Sequence, residues 1–351
     1  MSEGPSASAG RAGNGGAGPD LAGAGRAGAN LAGAGRAEAG QAEAGPGGER
    51  PGRLTRRRVL GVGVGGLAAV AAVGAGAIEL AARGVLPGRQ LVERLDGACS
   101  VAGPPPVFSA PGPSVSGAFY SRARQREVGY MIAWPPGHQP GAPLPLVVVL
   151  HPFGADHLSA LTGMSPPQAL ALRVGGRPLP PMAMAAADGG PGYWNPHPGD
   201  NPMAMVIDEL IPLCRRHGLG RRAIGTFGIS MGGYGALLLA EKHPGLISAV
   251  AAIGPAIWTS YGQASAVNPG AYVSAAAFAD ADAVTHAHTL DGVAVRVACG
   301  LSDPFYPGVQ ALTRVLPPGA VTDLSQGCHS YPFFIAQEPP SLAFLGRHLT
   351  G

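Results

Sequence analysis

Gly228-Ile229-Ser230-Met231-Gly232 is a G-x-S-x-G run between an apolar stretch that reads as a strand and one that reads as a helix. A serine on so sharp a strand-to-helix turn takes a strained backbone conformation and exposes its hydroxyl. Side chains two positions to either side would collide, so glycine is needed there. Serine at its free pKa is a poor nucleophile. It needs a base, and the base needs an acid to orient it. In sheets of this type the order along the chain is Ser, Asp/Glu, His. Five histidines follow Ser230: His243, His286, His288, His329 and His348. His329, in Gly327-Cys328-His329-Ser330-Tyr331-Pro332, follows the last strand-like run and is the best base. His243 closes the nucleophile's own helix at the remote end, His348 belongs to a final helix, and no clear strand precedes His286 or His288. Asp303, in Gly300-Leu301-Ser302-Asp303-Pro304-Phe305, lies just past another strand and is the best acid; Asp323, within a strand-like run, is its main competitor.

An oxyanion formed at such a serine needs hydrogen-bond donors. The N–H of Met231, directly after the nucleophile, is one candidate. The other comes from His151-Pro152-Phe153-Gly154, where Pro152 has no N–H and Phe153 is the choice. His151 reads as a structural hydrogen-bonding group holding this loop. Tyr193, Trp194 and Trp258 follow strands on the same edge and are candidates for a substrate wall, with core packing as an equal alternative. No CxxC or HExxH spacing occurs, so no metal is expected, and no cofactor is called for. Cys99, Cys214, Cys299 and Cys328 permit two disulfides in an exported chain. Cys299 ends one strand and Cys328 follows the next, so a bridge between them would tie the acid and base loops together. Cys214, on an apolar helical face, is as readily a buried free thiol.

These residues need a scaffold, and the chain beyond residue 117 supplies the pattern of one. Strands are expected at 127–134, 144–150, 182–187, 223–227, 247–253, 293–298 and 320–324. Helices are expected at 202–217, kinked or cut short by Pro212, at 231–243 and at 342–349. Alternating strands and helices imply an α/β fold whose mostly parallel sheet has helices on both faces. GISMGGYGALLLAEKHP (228–244), CGLSDPF (299–305) and GCHSYPFF (327–334) occur in that order. Over roughly residues 117–351 the chain resembles α/β-hydrolases of the putative-esterase (esterase D) family, which also includes bacterial mycolyltransferases. The resemblance implies the α/β-hydrolase fold, and nucleophile, acid and base roles for Ser230, Asp303 and His329. Pro152 departs from the glycine many relatives have after the histidine.

The 351 residues include 57 Gly and 36 Pro, unevenly spread. Residues 1–52 are mostly Gly and Ala, with a ten-residue repeat (Leu21–Asn30, Leu31–Gly40), and read as disordered because they cannot offset chain entropy. Within 53–83, Thr55-Arg56-Arg57-Arg58 precedes an uncharged run, 59–78, which reads as a twin-arginine-type signal or a membrane anchor. Either places the catalytic domain outside the cytoplasm, secreted or membrane-anchored. Residues 84–116, rich in proline, read as a tether. The net charge is +3. Residues 1–58 carry eight Arg against five acids, so the rest balances and lacks the basic field that nucleic-acid binding requires. The expected function is an exported serine esterase acting through an acyl-enzyme on a small-molecule, lipid or sugar ester. Its rivals are an acyltransferase delivering to a sugar or lipid alcohol, and an inactive cell-envelope binding protein on the same scaffold. A peptidase is disfavoured because no propeller-sized domain precedes the catalytic unit.

Overall fold

Continuous apolar runs make strands that are buried on both faces, and this chain has several. The computed structural model describes residues 97–350 apart from 109, 164, 165 and 222. The Gly/Ala-rich segment 1–52, the arginine-led run 53–83 and residues 84–96 of the proline-rich stretch lie outside the described residues. Among the described residues, no helix is long and apolar enough to cross a membrane.

The strands are β1 (Ser114–Ser121), β2 (Arg126–Ala133), β3 (Leu146–Leu150), β4 (Arg173–Val174), β5 (Arg177–Pro178), β6 (Ala183–Ala187), β7 (Ile224–Ile229), β8 (Ala249–Ile253), β9 (Ala294–Gly300) and β10 (Val321–Ser325). Eight of them form one sheet in the order β1-β2-β6-β3-β7-β8-β9-β10, while β4 and β5 make a separate small hairpin. β1 pairs antiparallel with β2, and β2 antiparallel with β6; every pairing from β6 across to β10 is parallel. This is the α/β-hydrolase fold.

Period-2 alternation divides each central strand between two cores. In β3, Leu146, Val148 and Leu150 join one cluster and Val147 and Val149 the other. The second face is covered by α1 (His157–Thr162), α2 (Pro166–Ala169) and a long C-terminal helix. The first carries α3 (Pro202–Met205), α4 (Ile211–Arg216) and α5 (Met231–Lys242). Short helices α6 (Tyr261–Val267), α7 (Ala275–Asp280) and α8 (Ala283–His286) join β8 to β9, and α9 (Tyr306–Thr313) joins β9 to β10. Ala-rich β6 (AMAAA) and β8 (AVAAI) leave room for helices to approach the sheet closely.

Three expectations need correction. Pro212 does not end its helix: Val206–Leu210 widens into a π turn, with Ile211 N–H donating to Val206 O, and α4 carries the helix on to Arg216. Pro212 then sits in the first turn of α4, where a missing N–H costs little. The last helix, α10, spans Tyr331–Leu349 rather than 342–349, with Pro332 in its first turn and Pro339 and Pro340 inside. Burial of Phe333, Phe334, Leu342, Phe344, Leu345 and Leu349 outweighs the hydrogen bonds that Pro339 and Pro340 remove. Finally, β1 begins at Ser114, inside the stretch read as a tether. Its sequence, SVSGAFYS, has the sparse apolar content of an edge strand. Just upstream, Val101 and Phe108 pack on the second core.

Candidate active site

Ser230 sits between β7 and α5 with φ 57° and ψ −122°, one of the few non-glycine residues at positive φ. The flanking glycines have the steric role their spacing implied. A Cβ at Gly228 would lie 2.1 Å from the Gly232 carbonyl oxygen, and one at Gly232 would lie 1.9 Å from that of Leu150. The turn is pinned by Ser230 N–H donating to Ile253 O (3.0 Å) and by Ser230 O accepting from the N–H groups of Tyr234 and Ala256 (3.0 Å each). The twelve-residue α5 points its positive dipole end at this serine, an electrostatic setting that favours negative charge there.

The structure brings His329 and Asp303 to the same hydroxyl. His329 Nε2 is 2.8 Å from Ser230 Oγ, and His329 Nδ1 is 2.7 Å from Asp303 Oδ2. The Asp303 side chain is fully buried, and its other oxygen accepts from Phe305 N–H at 2.8 Å. A carboxylate on Nδ1 sets the proton there and leaves Nε2 as the acceptor for the serine. Asp323, the competing acid, accepts from Gln337 Nε2 (3.0 Å) and pairs with Arg296 (3.5 Å) instead. Three of the other histidines are engaged elsewhere, His286 with Ala279 O, His288 with Thr285 O and His348 against the Phe344 ring, and His243 caps the far end of α5.

The loop that follows β3 lies beside the Ser230 turn because Leu150 is in register with Gly228. His151 holds this loop. Its Nδ1–H donates to Pro152 O (2.9 Å), and its Nε2 accepts from Gly189 N–H (2.8 Å). Burial pushes its pKa down and keeps the ring neutral, as that donor–acceptor pair requires. Phe153 follows in this loop, and Met231 opens α5.

The three aromatic candidates separate. Trp258 is half-buried and packs edge-on against Phe305 (4.9 Å between centroids), which in turn packs against the His329 ring (5.2 Å). Tyr193 lies beneath, against Trp258, Tyr234 and Tyr272. Trp194 is not a substrate wall: it is 1% exposed. Its indole lies against Gly189 and Gly235, where any Cβ would collide with it, and donates to His151 O (3.3 Å). Two residues flanking the imidazole escaped the sequence reading. Phe305 follows the Asp-Pro turn, and Phe334, one turn into α10, packs edge-on at 4.9 Å. Only a helix beginning at residue 331 makes Phe334 predictable.

The expected Cys299–Cys328 bridge is overturned. Cys328 is bonded to Cys99, with Cα atoms 4.8 Å apart, while Cys299 and Cys214 are buried free thiols. Cys299 is inside β9, paired with Leu324 of β10, and its side chain is buried in the first core. Burial and the neighbouring Asp303 carboxylate push the Cys299 thiol pKa up, so it remains protonated. Among the described residues, no three His, Cys, Asp or Glu side chains gather into a group able to hold a metal.

A family described as putative esterase matches residues 188–316. That span holds the serine turn and the Asp303 loop. No curated protein matches the chain. Among solved structures, a ferulic acid esterase superposes with a TM-score of 0.58 at 16% identity, over 68% of this chain and 98% of that one. S-formylglutathione hydrolase from Agrobacterium tumefaciens gives 0.52 at 18% identity, over 67% and 95%. Mycobacterium tuberculosis MPT51 (FbpC1) gives 0.52 at 16% identity, over 68% and 99%. At these identities the likeness is one of fold.

Proposed function

We propose that this chain, whose residues 188–316 match a putative esterase family, is a serine hydrolase that cleaves carboxylic esters through an acyl-enzyme. The observation that carries the reading is the Ser230–His329–Asp303 relay, with contacts of 2.8 and 2.7 Å, at the carboxyl edge of a mostly parallel sheet. His329 Nε2 takes the proton as Ser230 Oγ attacks the ester carbonyl. Asp303 holds the imidazole by Nδ1–H and stabilises the imidazolium that forms. The N–H groups of Met231 and Phe153 donate to the oxyanion, helped by the α5 dipole. Collapse expels the alcohol, which takes the proton back from His329. A water activated the same way then releases the acid and frees Ser230. Trp258, with Tyr193 behind it, borders the acyl or alcohol side. The arginine-led run 53–83 supports an extracytoplasmic location, secreted or anchored.

The test is a panel of p-nitrophenyl esters of graded acyl length, with Ser230→Ala as the control and a fluorophosphonate probe to label Ser230. Turnover and labelling lost together in Ser230→Ala support the reading. A labelled acyl donor offered with and without an alcohol acceptor distinguishes hydrolysis from transfer: free acid supports the esterase, while dominant new ester supports an acyltransferase. A folded chain that neither labels nor turns over any ester is a binding protein on this scaffold.

A further inference from the structure

The base loop, residues 326–330, crosses from β10 to α10 in five residues. Its margins are hydrogen-bonded: Leu301 N–H donates to Ser325 O (2.9 Å), Ser302 N–H to Gly327 O (2.9 Å) and Phe334 N–H to Ser330 O (3.0 Å). Between them, among the described residues, no backbone hydrogen bond includes the N–H or C=O of Cys328 or His329. The imidazole is held at its ring, by Asp303, Ser230, Phe305 and Phe334. The main chain beneath it is held by the covalent Cys99–Cys328 bond, backed by Gln326 Nε2 donating to Gly97 O at 2.8 Å.

The other end of that bond is itself fixed. Cys99 lies in a turn closed by Ser100 N–H donating to Gly97 O (3.0 Å). Beyond it, Val101 and Phe108 pack on the second core, and Pro113 O accepts from Trp134 N–H at 2.8 Å. A segment 229 residues away in sequence therefore reaches the residue directly before the base, which among the described residues makes no backbone hydrogen bond.

We propose that the Cys99–Cys328 disulfide is a positioning element for His329, so that efficient turnover requires the oxidised bridge. The proposal rests on the hydrolase reading of the relay. Reduction by a dithiol adds two electrons and two protons: the S–S bond breaks, two thiols form, and the dithiol closes to its cyclic disulfide. Only this bond changes, and the loop loses its covalent tie to Cys99. The imidazole then moves with an untethered loop, and sub-ångström alignment with Ser230 is lost. Such bonds persist in oxidising compartments and are reduced in the cytoplasm. The device would therefore keep the hydrolase weak until it is exported. Cys99 is the more exposed partner and the point of entry for a reductant.

The full chain is assayed oxidised, after dithiothreitol, after reoxidation, and as Cys99→Ser, on the best ester of the panel. Near-UV circular dichroism reports the fold, and the low-field NMR resonance of the His329 Nδ1 proton reports the base. The expected result is a kcat 10- to 100-fold lower, the scale of a misplaced reacting group. KM stays within about twofold, the dichroism is retained and the resonance is shifted or broadened, all restored on reoxidation. Unchanged kcat, or a rise in KM alone, overturns the proposal. A kcat that falls only in step with the dichroism also overturns it, because the bridge then holds the whole fold. If the oxidised chain neither turns over esters nor labels with fluorophosphonate, the hydrolase reading fails. The resonance then decides alone: movement on reduction supports the positioning role, and an unmoved resonance removes it.

Discussion

Glu241, in the last turn of α5, has a buried carboxyl whose two oxygens have no hydrogen-bond partner. Burial, reinforced by the Asp282 charge and only partly offset by Lys242, pushes its pKa up to about 9 from an ordinary value of 4.5. The folded protein therefore keeps this proton while the unfolded chain releases it. The stabilisation is fully present below the unfolded value and is lost as pH rises through the folded one. Glu241→Gln keeps the shape and abolishes the titration. At about 1.36 kcal/mol per pH unit, the wild type should lose up to about 4 kcal/mol relative to the variant between pH 5 and pH 8. For a domain of this size that corresponds to a relative Tm change on the order of 10 °C. Thermal melts of both proteins at pH 5 and pH 8 measure it. The variant should gain on the wild type as pH rises, with Ser230 reactivity preserved at low temperature. A Tm difference that is the same at both pH values would show that Glu241 is not held neutral, and the argument from burial would fail.

Asp303→Asn, which leaves the shape but removes the charge that orients His329, should lower kcat by roughly 10⁴-fold; an effect below tenfold would dismiss Asp303 as the orienting acid. Gly232→Ala places a methyl 1.9 Å from the Leu150 carbonyl oxygen; it should cost about 1–3 kcal/mol of stability or more, on the scale of overpacking, and activity should fall with it. A soluble, fully active variant in denaturant melts would contradict that close contact. Trp194→Ala should cost about 3–5 kcal/mol by leaving a core cavity, whereas Trp258→Ala should change acyl-length preference with little loss of stability. Exchanged outcomes for this pair, read by melts and by the ester panel, would reverse the assignment of scaffold and substrate wall.

Residue order along the chain was sufficient for what depends on local geometry. The glycines at 228 and 232 are dictated by atoms within a few residues or on the adjacent strand, so the sharp turn at Ser230 was legible from its five letters. The buried strands were legible for a similar reason: runs such as LVVVL satisfy both faces of a sheet without knowing their neighbours. The order serine, aspartate, histidine likewise singled out Asp303 and His329, because each follows a strand and strand ends share one edge. Tertiary structure decided the rest. Cys328 pairs with Cys99 rather than Cys299 because a disulfide needs two Cα atoms a few ångströms apart, a distance that sequence separation does not encode. Trp194 belongs to the scaffold because two glycines on different elements leave a slot for its ring. The length of α10 depended on apolar burial exceeding the local cost of its two internal prolines, Pro339 and Pro340. Helix propensity is a property of a segment, whereas burial is a property of the assembled molecule.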